Sequence, residues 1–195
     1  MKTLIVKQHS NPAQFMKAPK PPKSDSQWGV QQTKIVSPQR ISSKFIPAPP
    51  PRSTPIRLEL EALNRFETVE HQFQLWGIAF KNAIALQPSN PAFITKAEQV
   101  VLMSGPSSGY IEINFRHPLR SIEARVISSQ PAVLSAFNSE EQEIASTHTP
   151  VSESTGVISS VLPPTLLQIH TPEIHKVTFS TFDGQLIIDY LKVYF

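Results

Sequence analysis

Gly105-Pro106-Ser107-Ser108-Gly109 is the stretch of this 195-residue chain that has the form of a catalytic motif, G-x-S-x-G. In hydrolases that pattern works because a strand ends, a strained turn lifts the serine, and a helix follows. Here Tyr110-Ile111-Glu112-Ile113-Asn114-Phe115 follows, and its alternation predicts a strand. The motif therefore reads as a loop between strands, and a serine hydrolase using Ser107 is the least favoured function. His9, His71, His117, His148, His170 and His175 include no i, i+4 helical pair, and no Cys stands by to complete a structural zinc site. The six glycines form neither a P-loop nor G-x-G-x-x-G, and paired carboxylates for glycoside hydrolysis would meet only in the fold. The expected class is a non-enzyme.

What must position any site is a chain of two unlike parts. Residues 1–57 hold ten Lys/Arg and one acid, Asp25, a balance of +9; residues 58–195 hold eight Lys/Arg and fourteen Asp/Glu, a balance of −6. Ten of the nineteen prolines also fall within residues 1–55. Proline fixes φ and removes amide donors, so neither helix nor sheet propagates there, and apolar residues are too sparse to offset the entropy of ordering. Residues 1–55 are expected to be a disordered, basic, proline-rich arm. Phe15, Trp28 and Phe45 are its isolated aromatics, either anchors for a partner or incidental, and Pro47-Ala48-Pro49-Pro50-Pro51-Arg52 has the P-x-x-P-x-R form of a polyproline-II ligand. Phe15, Trp28, Phe45 and Arg52 are the candidate residues for docking a protein partner. The basic residues are dispersed among prolines rather than densely clustered, so nucleic acid is not the favoured partner.

From about residue 56 the pattern changes to a period of two. It runs through Leu58, Leu60 and Ala62, through 110–115, 122–126 and 174–179, and into the C-terminal run Leu186 to Phe195. Turn signals separate these runs at Gln87–Pro91, Ser104–Gly109, Pro163-Pro164 and Phe182-Asp183-Gly184. Eight to ten short strands and no long amphipathic run predict an all-β antiparallel sandwich of jelly-roll type over residues 56–195. Residues 146–162, rich in Ser and Thr, read as a long exposed loop. With no Cys, the fold rests on apolar burial and hydrogen bonds, with an oxygen-liganded metal the remaining option. No stretch is long and apolar enough to span a bilayer, and Leu4-Ile5-Val6 is too short for a leader core, so a cytoplasmic location is expected.

Three segments carry a likeness to a known family: Arg65-Phe66-Glu67-Thr68, Gly77-Ile78-Ala79-Phe80-Lys81-Asn82-Ala83-Ile84, and Phe182-Asp183-Gly184-Gln185-Leu186-Ile187-Ile188-Asp189-Tyr190. With these, residues 57–195 resemble the jelly-roll domains of carbohydrate-binding modules and galactose-binding-like proteins. The resemblance implies a structural Ca²⁺ held by an acid on the opening strand and another on the closing strand. Glu67 and Asp189 match those places, with Asp183 third, while Tyr190 stands where a second acid is common. It also implies exposed aromatics that cover the C–H faces of sugars. Trp76, the only Trp of the sandwich, and Tyr110 and Phe137 are the candidates, and a core position for Trp76 is the alternative. The expected function is a non-catalytic interaction module whose arm docks a partner, a subunit or adaptor of a larger assembly. The alternative is a carbohydrate-binding protein with structural calcium.

Overall fold

Alternation of apolar and polar side chains places one face of each strand on a core and the other in water. In the computed structural model, which describes residues 32–39, 54–93, 99–105, 109–150, 162–182 and 185–195, eleven strands form among the described residues. In chain order they are β1 (Lys34–Val36), β2 (Ile56–Leu58), β3 (Glu67–Val69), β4 (Ile78–Lys81), β5 (Ala83–Leu86) and β6 (Val101–Ser104). Then follow β7 (Tyr110–Ser128), β8 (Ala132–Phe137), β9 (Glu143–His148), β10 (Thr165–Thr181) and β11 (Leu186–Tyr194). Helical geometry among the described residues is limited to short 3-10 turns at Leu60–Ala62, Gln74–Trp76 and Pro91–Phe93. The chain is an all-β, mainly antiparallel sandwich, with β1–β2 its parallel pair.

The two long strands make the sandwich. β7 and β10 pair along most of their lengths, from Tyr110↔Ser180 to Val126↔Thr165. Their register breaks on either side of Leu119↔Ile174, a pair with no solvent exposure. Pro118 and Pro172 fall in this break, where a missing N–H costs no ladder bond, and Glu173 adopts φ 64 beside it. A ribbon interrupted in this way bends, and its two halves enter different layers. One half carries β4 on the β7 edge and β8 then β9 on the β10 edge; the other carries β11, β6, β5 and β3 in order beyond β7, with β2 and β1 attached to β11. One contiguous core takes inward residues from both halves, among them Phe80, Ile113, Leu134 and Phe179 from the first and Val69, Leu102, Val126 and Ile188 from the second. Burying such side chains contributes about 1.5–3 kcal/mol each.

Three expectations change here. Lys34–Val36, read as part of the arm, is a strand: Val36 is 1% exposed in the core, and the amides of Lys34 and Glu59 donate to Pro55 O and Val36 O. The pull of one buried valine and a parallel ladder outweighs the prolines on either side. The alternation at Leu58, Leu60 and Ala62 is split, since β2 ends at Leu58 and Leu60 reaches the core from a 3-10 turn. Residues Ser146 to His148, read as loop, complete β9 on the sheet edge, where polar side chains are tolerated. Phe15, Trp28, Phe45, Arg52, Ser107 and Asp183 lie outside the described residues.

Candidate functional site

Strand pairing in the smaller half aligns outward side chains into rows across β4, β7, β10, β8 and β9. One row is Tyr110–Ser180–Val133–His148, the next Lys81–Glu112–Thr178–Ser135–Ser146, the third Ala79–Asn114–Lys176–Phe137. Their inward neighbours Ile111, Ile113, Val177, Phe179, Leu134 and Ala136 are buried, which fixes these residues on the outer face. At ordinary strand spacing the rows cover roughly 19 by 13 Å. Tyr110 and Phe137, both marked in the sequence, share this face, two strands and four residues apart, roughly 16 Å.

Glycine makes Tyr110 possible in its place. A Cβ on Gly109 would lie 2.6 Å from the carbonyl oxygen of Thr181, so only a glycine permits β7 to start this close to the end of β10. The Asn82 side-chain amide, from the turn between β4 and β5, donates to the Tyr110 carbonyl. Tyr110 is 40% exposed, and Phe182, two residues past its register partner Ser180, is 89% exposed. Sequence reasoning passed over Phe182 as part of a turn signal; an aromatic directly before Asp-Gly was the available sign of an exposed ring.

Both lysines of the face are paired with acids, while Glu143, the β9 register partner of Phe137, is exposed and has no ion pair among the described residues. Lys81 Nζ lies 2.7 Å from Glu112 Oε1, and Asn114 Nδ2 donates to the same oxygen at 2.8 Å. Burial opposes ionisation of Glu112, yet the Lys81 and Asn114 hydrogen bonds and the Lys81 and Lys176 charges outweigh it and hold its carboxyl below the usual range. Lys176 pairs with Glu141 and stands 4.7 Å from the centroid of the Phe137 ring. The result is a sheet surface with two lysine–acid pairs, aromatic rings at its margins and Thr178, Ser180, Ser135 and Ser146 between them. Such a surface can stack on C–H patches and exchange hydrogen bonds with hydroxyl groups.

The other marked residues are not brought to it. Trp76 is half-buried beside the middle of β7, where Gly77 O accepts from Arg116 N, and its ring packs on the core beneath Lys34 Nζ, 4.2 Å from the centroid. Its Nε1 is buried without a hydrogen-bond partner among the described residues.

Glu67 and Asp189 are also separated. Register runs Glu67↔Ala85↔Leu102↔Ile188, so Glu67 lies three strands, about 14 Å, from the residue preceding Asp189. Glu67 accepts from the Asn64 backbone and side-chain amides and from Gln72 Nε2. Asp189, at the β-bulge of β11 opposite Val126 and Arg125, accepts Arg125 Nε and Nη2 at 2.7 and 2.9 Å, with its side chain fully buried. Among the described residues no group of three or more His, Asp or Glu side chains is placed to hold a metal ion. The calcium pairing of Glu67 with Asp189 is therefore not formed, because the sheet order inserts β5 and β6 between their strands.

The G-x-S-x-G glycines flank the connection from β6 to β7, so strands stand on both sides of the motif. No helix of the described residues is long and apolar enough to cross a membrane.

No family model and no curated protein matches the chain. Solved structures do. The adhesin domain of Lys-gingipain from Porphyromonas gingivalis W83 is similar at 8% identity, over 72% of this chain and 97% of that one, with a TM-score of 0.44. A family 29 carbohydrate-binding module is similar at 9% identity over 60% and 80%, with a TM-score of 0.38. A His 62 mutant of the lectin binding domain of lectinolysin, in complex with Lewis b, is similar at 9% identity over 60% and 89%, with a TM-score of 0.37.

Proposed function

We propose that the sandwich is a non-catalytic binding module that holds a carbohydrate on the outer face of β4, β7, β10, β8 and β9. The observation that carries this reading is the face itself: both lysines paired with acids, hydroxyl side chains in register, and Tyr110, Phe137 and Phe182 around them. A neutral polyhydroxylated chain matches this surface because it needs stacking area and hydrogen bonds but no counter-charge. The test is glycan-array screening followed by affinity electrophoresis on the best polysaccharide. Tyr110→Ala and Phe182→Ala each weaken binding about fivefold or more, as expected for lost stacking on one exposed ring, while Trp76→Phe leaves affinity unchanged. Binding to no glycan, or equal binding by both alanine variants, overturns the assignment.

A second reading, a partner-docking adaptor, is favoured by β1. This strand pairs Lys34–Val36, from the part of the chain read as the arm, with β2 of the sandwich. Co-purification from the native source with the full chain and with the chain from Gln32 onward tests it. Loss of a stoichiometric partner from the shorter chain supports docking by the arm; identical partners refute it.

A further inference from the structure

An open sheet ends in two outermost strands, whose outward N–H and C=O groups are left to water unless something covers them. In the order β3-β5-β6-β11-β7-β10-β8-β9 those strands are β3 and β9. β3 is only three residues long, as is β1. The free side of β4 is covered by its own approach, since Ile78 N and Phe80 N donate to Phe73 O and Glu70 O. β9 differs from all of these. It runs six residues, Glu143–His148, and among the described residues it pairs with β8 alone.

One bond sets which way its backbone points. Thr149 N donates to Ala132 O at 2.9 Å, so by antiparallel alternation Thr147 and Ala145 bond to Leu134 and Ala136. The amides and carbonyls of Ser146 and His148 then point the other way, to the open edge, and both residues are exposed. The strand is held from beneath before any partner arrives: Ile144 and Ala145 pack against the core, and Thr149 Oγ1 accepts the Ala132 amide at 2.9 Å. Edges are commonly blunted by a lysine, a proline or a bulge. A bulge occurs only at the Glu143 end, where Phe137 pairs with Glu143 while Ala136 pairs with Ala145, leaving Ile144 the extra residue. Ala145-Ser146-Thr147-His148 is regular and carries neither lysine nor proline.

We infer that this edge docks a second copy of the chain, β9 against β9, antiparallel about a two-fold axis at Ser146. The ends of the strand are complementary. Neither Glu143 nor His148 has an ion pair within its own copy among the described residues. An antiparallel copy reverses the strand and brings Glu143 of each beside His148 of the other, whereas a parallel copy would set acid on acid. At the axis Ser146 exchanges N–H···O bonds with Ser146 of the second copy, and Ala145 faces Thr147, so no like charges meet. Such a contact is self-complementary and closes after two copies. Its axis stands perpendicular to the sheet, so the outer faces of both copies lie on the same side and their rows run on into one another. The inference holds whatever that face binds.

Sedimentation of the full chain across a concentration series tests it, and a reversible monomer–dimer equilibrium is expected. Ser146→Lys and Ser146→Glu each set like charges opposite one another at the axis and weaken association about fivefold or more. An equimolar mixture of the two restores it. The chain has no Cys, so Ser146→Cys introduces a single thiol. Cα atoms of a hydrogen-bonded antiparallel pair lie about 5.5 Å apart, within disulfide reach. Mild oxidation therefore links Ser146→Cys into dimers on a non-reducing gel, while Glu140→Cys, at an exposed position in the β8–β9 turn, stays monomeric. Circular dichroism matching the parent's shows that each variant is folded. A chain monomeric throughout, with no cross-link at position 146, overturns the inference and leaves the edge to an extended segment of another protein. A dimer that Ser146→Lys leaves intact overturns it as well, because another surface then joins the copies.

Discussion

Arg125 and Asp189 form an ion pair whose two ends sit in different media, and that asymmetry has a measurable consequence. The Asp189 side chain is fully buried and that of Arg125 is 39% exposed. The Asp189 hydrogen bonds hold the guanidinium proton more firmly than usual, outweighing burial, which acts the other way. Removing the arginine by Arg125→Met leaves a carboxylate in a dry bulge with its counter-charge gone, a loss of about 3–4 kcal/mol. Removing the charge of the acid by Asp189→Asn leaves an arginine that can turn to water and an amide that still fits the bulge. That change costs only about 1–2 kcal/mol, the value of the lost charge-assisted bonds. The double change Arg125→Met with Asp189→Leu recovers most of the loss, because no buried charge remains. Urea denaturation followed by circular dichroism, with equal m-values required, measures all four proteins. Equal costs for the two single variants would refute the reasoning. So would stabilisation of the parent by Ca²⁺ that Asp189→Asn abolishes, since the carboxylate would then serve a metal.

Two further predictions concern the candidate face and the ordered part of the arm. The folded state holds the Glu112 carboxyl below its unfolded value, so the stability it contributes is fully present above the unfolded value of about 4.3 and is lost as pH falls through the lower, folded one. Glu112→Gln removes that part of the acid limb, less than about 1 kcal/mol because Lys81 is well exposed; acid denaturation curves of parent and variant should run closer together at low pH than at neutral pH. Val36→Ala costs about 2 kcal/mol, whereas Ile35→Ala, at a position 57% exposed, changes stability by less than about 0.5 kcal/mol. Comparable small effects at both positions in urea titration would show that β1 is not part of the body.

The strand content of residues 56–195 was legible because a period of two is local: each residue's neighbours two positions away report its face. Tyr110 and Phe137 were marked only for lying near expected turns or strand ends. The runs at 110–115 and 122–126 read as two strands, however, because nothing local says that a chain crossing Pro118 continues in one bent ribbon. Val36 was hidden by the prolines around it, since local propensity describes the unfolded chain's preferences and not the vacancy a core offers to one apolar side chain. Which acids meet was not legible at all. Glu67 and Asp189 matched a familiar placement, but Asp189 pairs with Arg125, 64 residues away, just as Ser121 Oγ meets His170 Nδ1 across 49 residues. By itself the sequence determined that the chain would build strands and where turns would interrupt them. The order of strands across the sheet was decided only by tertiary structure, and with it which outward residues share a face. That order is set by burying every inward face at once, a condition no local segment contains.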